Sequence, residues 1–196
     1  MQHAVSDEAL DTIFRSARSQ NKWLDKPVSN ALLMAVYDLM RMGPTSANCS
    51  PARIVFLTTQ EAKERIKPHL LPSNIEKTMT APAVAIIGYD LDFPNNIPRL
   101  FPHNPGAKDW FGDPKLRETT AFRNGTLQGA YFIIAARALG LDCGPMSGFN
   151  NASVDQEFFA GTSVKSNFIC GVGYGDPSGL FPRNPRLEFD EACKIL

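Results

Sequence analysis

Hydrophobic and polar positions alternate along this chain with two periods, and together they divide it into helices and strands. Leu10, Ile13, Phe14 and Ala17 recur at helical spacing, with Ser6 placed as a cap and Val5 placed to staple onto Leu10. Ser29 would cap a second helix whose buried face holds Leu32, Leu33, Val36, Leu39 and Met40. Ala52 to Thr59 reads as a strand. Thr58 and Glu61 then form a capping box for a third helix to about Lys67, where Pro68 intervenes. Asn74 to Lys77 reads as a short polar segment. Ala83 to Tyr89, with its Val-Ala-Ile-Ile run, has the pattern of a strand buried on both faces. Lys115 to Leu139 is the longest helix, uncharged between Asn124 and Ala136, and is expected to be central and nearly fully buried. Leu127, Ala130, Tyr131, Ile134, Ala135, Ala138 and Leu139 would line its apolar side, and Gly140 suits the left-handed position that ends it. Ser153 would cap a brief helix, and Ser166 to Tyr174 reads as a final strand.

Three stretches break these periods. Gly43 to Pro51, Gly-Pro-Thr-Ser-Ala-Asn-Cys-Ser-Pro, joins a helix to a strand and concentrates hydroxyls, a carboxamide and a thiol in nine residues. Pro51 should hold Ser50 extended. Asp142 to Phe149 reads as a second tight glycine-proline loop. The proline-rich segment 93–114, with Phe93, Phe101, Trp110 and Phe111, is expected to form a lid or a partner surface. An arm rich in Pro and Arg, 176–196, closes the chain. No repeat or linker divides it, and helices and strands do not alternate regularly. The expectation is one α+β domain over 1–196, a sheet layered with helices.

Composition narrows the function. Twenty Lys and Arg balance twenty Asp and Glu, so there is no general basic field for nucleic acid. The longest apolar run is too short to span a bilayer, and the first residues lack the build of a signal peptide, which points to a cytoplasmic protein away from membranes. Cys49, Cys143, Cys170 and Cys193 are scattered among the three histidines without metal-ligand spacing, so reduced thiols and no metal site are expected.

Individual motifs yield little chemistry. Gly171-Val-Gly173-Tyr-Gly175 follows a strand, but Asp176 and Pro177 prevent the helix that a dinucleotide fingerprint needs, so the glycines read as a structural strand end. Cys49 has no histidine placed to activate it and reads as a buried thiol. His103 stands alone in the proline segment. What remains is a set of polar loops spread over the chain, a pattern that suits a bound cofactor.

Those loops carry a resemblance. Pro44-Thr45-Ser46-Ala-Asn48 resembles the Pro-Ser-x-x-Asn-x-Gln-Pro-Trp loop of the FMN-dependent nitroreductase family. Arg18-Ser19 is similar to that family's phosphate-binding Arg-Ser, and Asn74-x-x-Lys77 to its pyrimidine-edge pair. Pro145-Met146-Ser147-Gly148 is similar to its second flavin loop, and Arg183 to Arg186 to its basic tail. The likeness is closest to one subgroup, the malonic semialdehyde reductases, through Gly-Pro-Thr-Ser-Ala-Asn-Cys-Ser-Pro-Ala-Arg, Glu-Thr-Ala-Phe-Arg-Asn and Gly-Pro-Met-Ser-Gly-Phe. The chain departs from the wider family at Ala17, Asn21, Ser50, Ala52 and Ser147.

The resemblance implies a nitroreductase-like α+β fold, with a mixed or antiparallel sheet, in an intertwined homodimer. It also implies FMN as cofactor and NADH or NADPH as co-substrate, with hydride passing to a small carbonyl compound in ping-pong fashion. Arg18, Ser19, Arg183 and Arg186 would hold the phosphate, and Asn74 and Lys77 the ring edge. Pro44, Thr45, Ser46 and Asn48, with Pro145 to Gly148, would come from the chain opposite Arg18 and Lys77. Arg123, on the long helix expected to be buried, is the leading candidate for a substrate carboxylate, ahead of Arg53 and Arg99. No side chain needs to be a catalytic nucleophile. A nitroaromatic or quinone reductase and a non-catalytic flavin-binding protein are the alternatives.

Overall fold

A computed structural model describes residues 3–196. Four antiparallel strands form one sheet in the order β1-β2-β4-β3, with β1 at Ala52–Leu57, β2 at Ala83–Asp90, β3 at Asp142–Met146 and β4 at Val164–Gly173. The α+β expectation is met, and the sheet is wholly antiparallel. β2 is buried at every position, as its unbroken apolar run requires. β3 is an edge strand where a loop was expected. Its Pro145 gives up no ladder hydrogen bond needed by an inner neighbour, which is why a Gly-Pro pair is tolerated there.

The helices are α1 (Asp7–Leu10), running into a π-helical turn at Asp11–Arg15, α2 (Asn30–Met40), α3 (Gln60–Ile66), α4 (Pro72–Met79), α5 (Ile97–Leu100), α6 (Pro114–Ala138), α7 (Asn151–Phe158) and α8 (Phe189–Ala192). Ser6 and Ser29 cap α1 and α2 as read from sequence. Phe14 and Leu39 are exposed, however, so each apolar stripe is narrower than its spacing suggests. The α3 cap is Thr59, one residue after the expected position, and the α7 cap is Asn150, three residues before it. Asn74 to Lys77 lies within the regular helix α4, because Pro72 fits its first turn.

Two layers of core flank the sheet. One face packs Leu33, Val36 and Met40 of α2 and Phe132 and Ala136 of α6 against Ala85, Ile87 and Cys170. The other packs Ile66, Met146, Val154 and Phe159 against Val84, Ile86 and Ile169. A third cluster corrects the reading of 93–114. Phe93 and Phe111 meet edge to face at 4.9 Å and bury themselves with Ile97, Ala107, Ala121 and Cys49. The prolines open short helical turns that fold the segment inward, and of its larger side chains Trp110 remains largely exposed. In this structure it is a packed corner, with Phe93 and Phe111 buried where exposed aromatics were expected.

α6 is central but only half buried. Its sheet face holds Ala121, Asn124, Gly125, Gln128, Gly129, Phe132 and Ala136, while Phe122, Leu127, Ala130 and Tyr131 face outward. Gly125 and Gly129 let the helix approach closely. A Cβ on Gly129 would meet Phe168 Cε1 at 2.5 Å, and one on Gly125 would meet Tyr89 Cβ at 2.9 Å. The strand-end glycines are likewise a packing feature. A Cβ on Gly171 would stand 2.7 Å from Trp23, and one on Gly173 2.6 Å from Pro82.

Candidate functional site

Residues 18–23 run beside the β3 edge. Ser19 bridges Cys143 in parallel register, the Gln20 amide donates to the Cys143 carbonyl at 3.0 Å, and Trp23 Nε1 donates to the Lys77 carbonyl at 2.8 Å. This strip joins three of the sequence-predicted groups. At its start, Arg18 and Ser19 line a cavity of about 280 Å³ with Arg183 and Arg186 from the C-terminal arm. The arm is tied down there: Arg18 donates to the Phe181 carbonyl, and Arg183 Nη2 donates to the carbonyls of Arg15 and Ala17 at 2.8 and 3.0 Å. Arg137, from the last turn of α6, lines the same cavity and was not singled out from sequence. The one signal for it was an arginine ending the uncharged run of the longest helix. No carboxylate lines the cavity, and among the described residues none of its arginines is in an ion pair.

At the strip's other end, Asn74 Nδ2 donates to the Gly148 carbonyl at 2.8 Å, and the Leu71 amide donates to the same oxygen at 3.0 Å. Asn74 and Lys77 therefore sit on the same chain as Pro145, Met146, Ser147 and Gly148. This corrects the expectation that the 145–148 segment comes from the opposite chain. β3 fixes these residues through its pairing with β4, and the Asn74 bond ties them to α4. Lys63 holds α4 from behind. Its buried ammonium donates to the carbonyls of Met79 and Ala81 at 2.8 and 2.9 Å, at the negative end of the helix, and burial pushes its pKa down.

Pro44 to Asn48 lies elsewhere, leading into β1 at the far edge of the sheet. Its backbone is strained: Ala47, Asn48 and Ser50 have φ of 49°, 49° and 40°, so Ser50 is left-handed where an extended residue was expected. Two buried carboxamides one turn apart on α6 hold it. Asn124 Oδ1 accepts from the Ser46 amide and Gln128 Oε1 from the Ala52 amide, both at 2.8 Å. Thr45 Oγ1 accepts from the Ser50 amide at 3.1 Å, and Asn48 Nδ2 donates to the Leu100 carbonyl at 2.8 Å. Non-glycine residues in such a conformation cost on the order of 1–3 kcal/mol each, and their neighbours must over-determine them. Sequence singled out the loop but neither carboxamide that holds it.

The remaining candidates are settled by their surroundings. Cys49 is fully buried, and burial pushes its thiol up to about 11, so it is no nucleophile at neutral pH. His103 is exposed, and its ring lies tilted against that of Phe101. Arg123 is exposed on the outer face of α6, not buried, and makes no ion pair with Glu118. Arg53 is consumed by Asp90. No group of three or more potential metal ligands occurs among the described residues, and none of their helices is long and apolar enough to cross a membrane.

Comparison with known proteins agrees with this geometry. Residues 14–175 match the model of the nitroreductase family. A Cupriavidus pinatubonensis protein named as an NADH dehydrogenase/NAD(P)H nitroreductase is 63% identical over 97% of this chain and 98% of its own. HadB of Ralstonia pickettii, given the same description, is 60% identical over 95% of this chain and 97% of its own. Among solved structures, a nitroreductase of Exiguobacterium sibiricum in complex with FMN superposes with a TM-score of 0.86 at 14% identity, covering all of both chains.

Proposed function

The chain belongs to the nitroreductase family, and from that premise we propose that it is an FMN-dependent NAD(P)H oxidoreductase. We assign it a short aldehyde bearing a terminal carboxylate, malonic semialdehyde, reduced to 3-hydroxypropanoate. The observation that carries the flavin reading is the arginine cavity free of carboxylates, joined by residues 18–23 to Asn74, Lys77 and the end of β3. That donor set fits one phosphate monoester with a hydrogen-bonding ring edge beyond it, which is why FMN and not FAD is assigned. The fold neighbour solved with FMN supports the same choice.

Arg18, Ser19, Arg183 and Arg186 hold the phosphate through charge-assisted hydrogen bonds, each worth about 1.5–3 kcal/mol. Asn74 faces the pyrimidine edge with the carboxamide oxygen that its bond to Gly148 leaves available. Lys77 brings positive charge to the same edge. When bound, FMN accepts a hydride from NAD(P)H and delivers one to the substrate.

The strained loop Pro44–Asn48 lies at β1, the sheet edge opposite β3. We therefore assign a homodimer in which this loop completes the site of the partner copy. The outer face of α6, with Phe122 and Leu127 nearly half exposed, is the apolar surface that such a dimer would cover.

Arg123 projects from the same face and is offered for the substrate carboxylate, because it has no ion-pair partner among the described residues. A second reading, reduction of nitroaromatics or quinones, is favoured by the names of the relatives. NAD(P)H oxidation with each substrate class separates them: kcat/KM should be highest for malonic semialdehyde, and Arg123→Met should raise its KM steeply while leaving quinone reduction intact. A nitroaromatic or quinone turned over better than the aldehyde replaces the first reading with the second.

A further inference from the structure

The arginines of the anion cavity are not alike. Arg18, Arg183 and Arg186 reach it from the N-terminal strip and the exposed arm, two segments tied to each other by bonds to main-chain carbonyls. Arg137 reaches it from α6, the helix that packs across the sheet, and its backbone is fixed by the last turn of that helix. Its Nη1 donates to the Ile13 carbonyl at 3.2 Å, which anchors one end of the guanidinium. Its Nε is fully buried and has no hydrogen-bond partner among the described residues.

A buried donor on a cation left without a partner costs about 1–3 kcal/mol, more for a charged group, so such an atom is rare in a finished site. A helix C-terminus accounts for a favourable cation at this position but not for the unsatisfied Nε. The wall around it offers no remedy within the chain. The other polar side chains lining the cavity are arginines, asparagines and Ser19, and Ala17 on the N-terminal strip contributes no charge. An anion in the cavity would neutralise together the four guanidiniums that line it.

We propose that Arg137 is an interior phosphate ligand of the cofactor, the fixed member of a four-arginine cradle that the C-terminal arm completes. The proposal rests on the reading of this cavity as the FMN phosphate site. It makes the end of α6 part of the cofactor site, so that the helix that holds the strained loop through Asn124 and Gln128 also meets the phosphate. Arg137 supplies a partly desolvated contact from the end of the long helix, whereas the arm arginines supply contacts from an exposed segment outside the sheet.

The test compares FMN with riboflavin, which differs only in lacking the phosphate, on full-length protein stripped of flavin. Dissociation constants are measured from flavin fluorescence for the natural chain and for Arg137→Met, Arg137→Lys and Arg18→Met. The natural chain should bind FMN far more tightly than riboflavin. Arg137→Met should weaken FMN by on the order of 10- to 100-fold and leave riboflavin nearly unchanged, and Arg137→Lys should fall between. Loss of FMN preference in Arg18→Met with full preference retained in Arg137→Met overturns the proposal and leaves the cavity reading standing. Equal weakening of FMN and riboflavin by Arg137→Met makes the residue a structural tie and also overturns it. A natural chain that prefers neither flavin overturns the cavity reading itself.

Discussion

The side-chain amide of Asn74 donates to the main-chain carbonyl of Gly148 at 2.8 Å, and this bond joins α4 to the end of β3. Seventy-four residues separate the two in sequence, and the bond brings two segments of the candidate site together within one chain. It puts Asn74 beside the 145–148 segment within one chain, and in the dimer proposed above the loop Pro44–Asn48 is the piece that a second copy brings.

Asn74→Ala removes the donor and leaves the half-buried carbonyl with the Leu71 amide alone. FMN affinity should fall about 10-fold, corresponding to about 1.4 kcal/mol. Asn74→Asp should be worse than Ala, because it sets a carboxylate against a carbonyl oxygen with no proton between them. Flavin titration checks both, and an alanine variant with unchanged affinity would mean that the bond does not organise the site.

Lys77→Ala should lower the flavin reduction potential more than it weakens FMN binding, since a cation at the ring edge matters most once the ring has gained negative charge. Each 1.4 kcal/mol lost from the reduced form corresponds to about 30 mV for a two-electron couple. Spectroelectrochemistry on the holoprotein reads it. An unchanged potential with weakened binding would reduce Lys77 to a binding residue.

Cys49 sets a pH dependence. Its thiol is held neutral by burial, with a folded-state pKa of about 11 against an ordinary 9.0. Between those values the unfolded chain has released a proton that the folded chain keeps, so stability falls as pH rises from about 9 to about 11. The loss approaches about 1.4 kcal/mol per pH unit for one group. Burial also raises the pKa of Tyr89, which should extend the decline. Urea midpoints across this range test it, and Cys49→Ala should show a shallower fall than the natural chain.

Leu127→Asp places a charge on the outer face of α6, where a second copy is proposed to pack. Sedimentation should shift from dimer to monomer, with loss of bound FMN, because the loop Pro44–Asn48 would no longer reach its site. A variant that remains dimeric and yellow would move the interface elsewhere.

Much of this architecture was legible in the sequence, and the misreadings share a physical origin. The caps at Ser6 and Ser29 and the buried strand at β2 followed from local chemistry and an unbroken apolar run. α6 was read as buried all round because counting apolar residues cannot see that Asn124, Gln128, Gly125 and Gly129 form its inner face. The carboxamides are buried because they hold the loop, and the glycines because the sheet leaves no room for a Cβ. β3 was hidden by Gly144 and Pro145, which suit an edge strand as well as a loop. Of the candidate site, sequence singled out separate segments but not their grouping: nothing local to Asn74 or Gly148 says that they touch. Arg137 was passed over because its place in the cavity depends on what the N-terminal strip and the arm bring opposite it.

The most direct measurement of the central claim is the flavin spectrum of the purified protein during anaerobic turnover. The protein should carry FMN in stoichiometric amount, NADH or NADPH should bleach its visible absorbance, and malonic semialdehyde should restore it with formation of 3-hydroxypropanoate. A colourless protein that does not take up FMN, a protein carrying FAD, or bound FMN that neither nicotinamide bleaches would contradict the account.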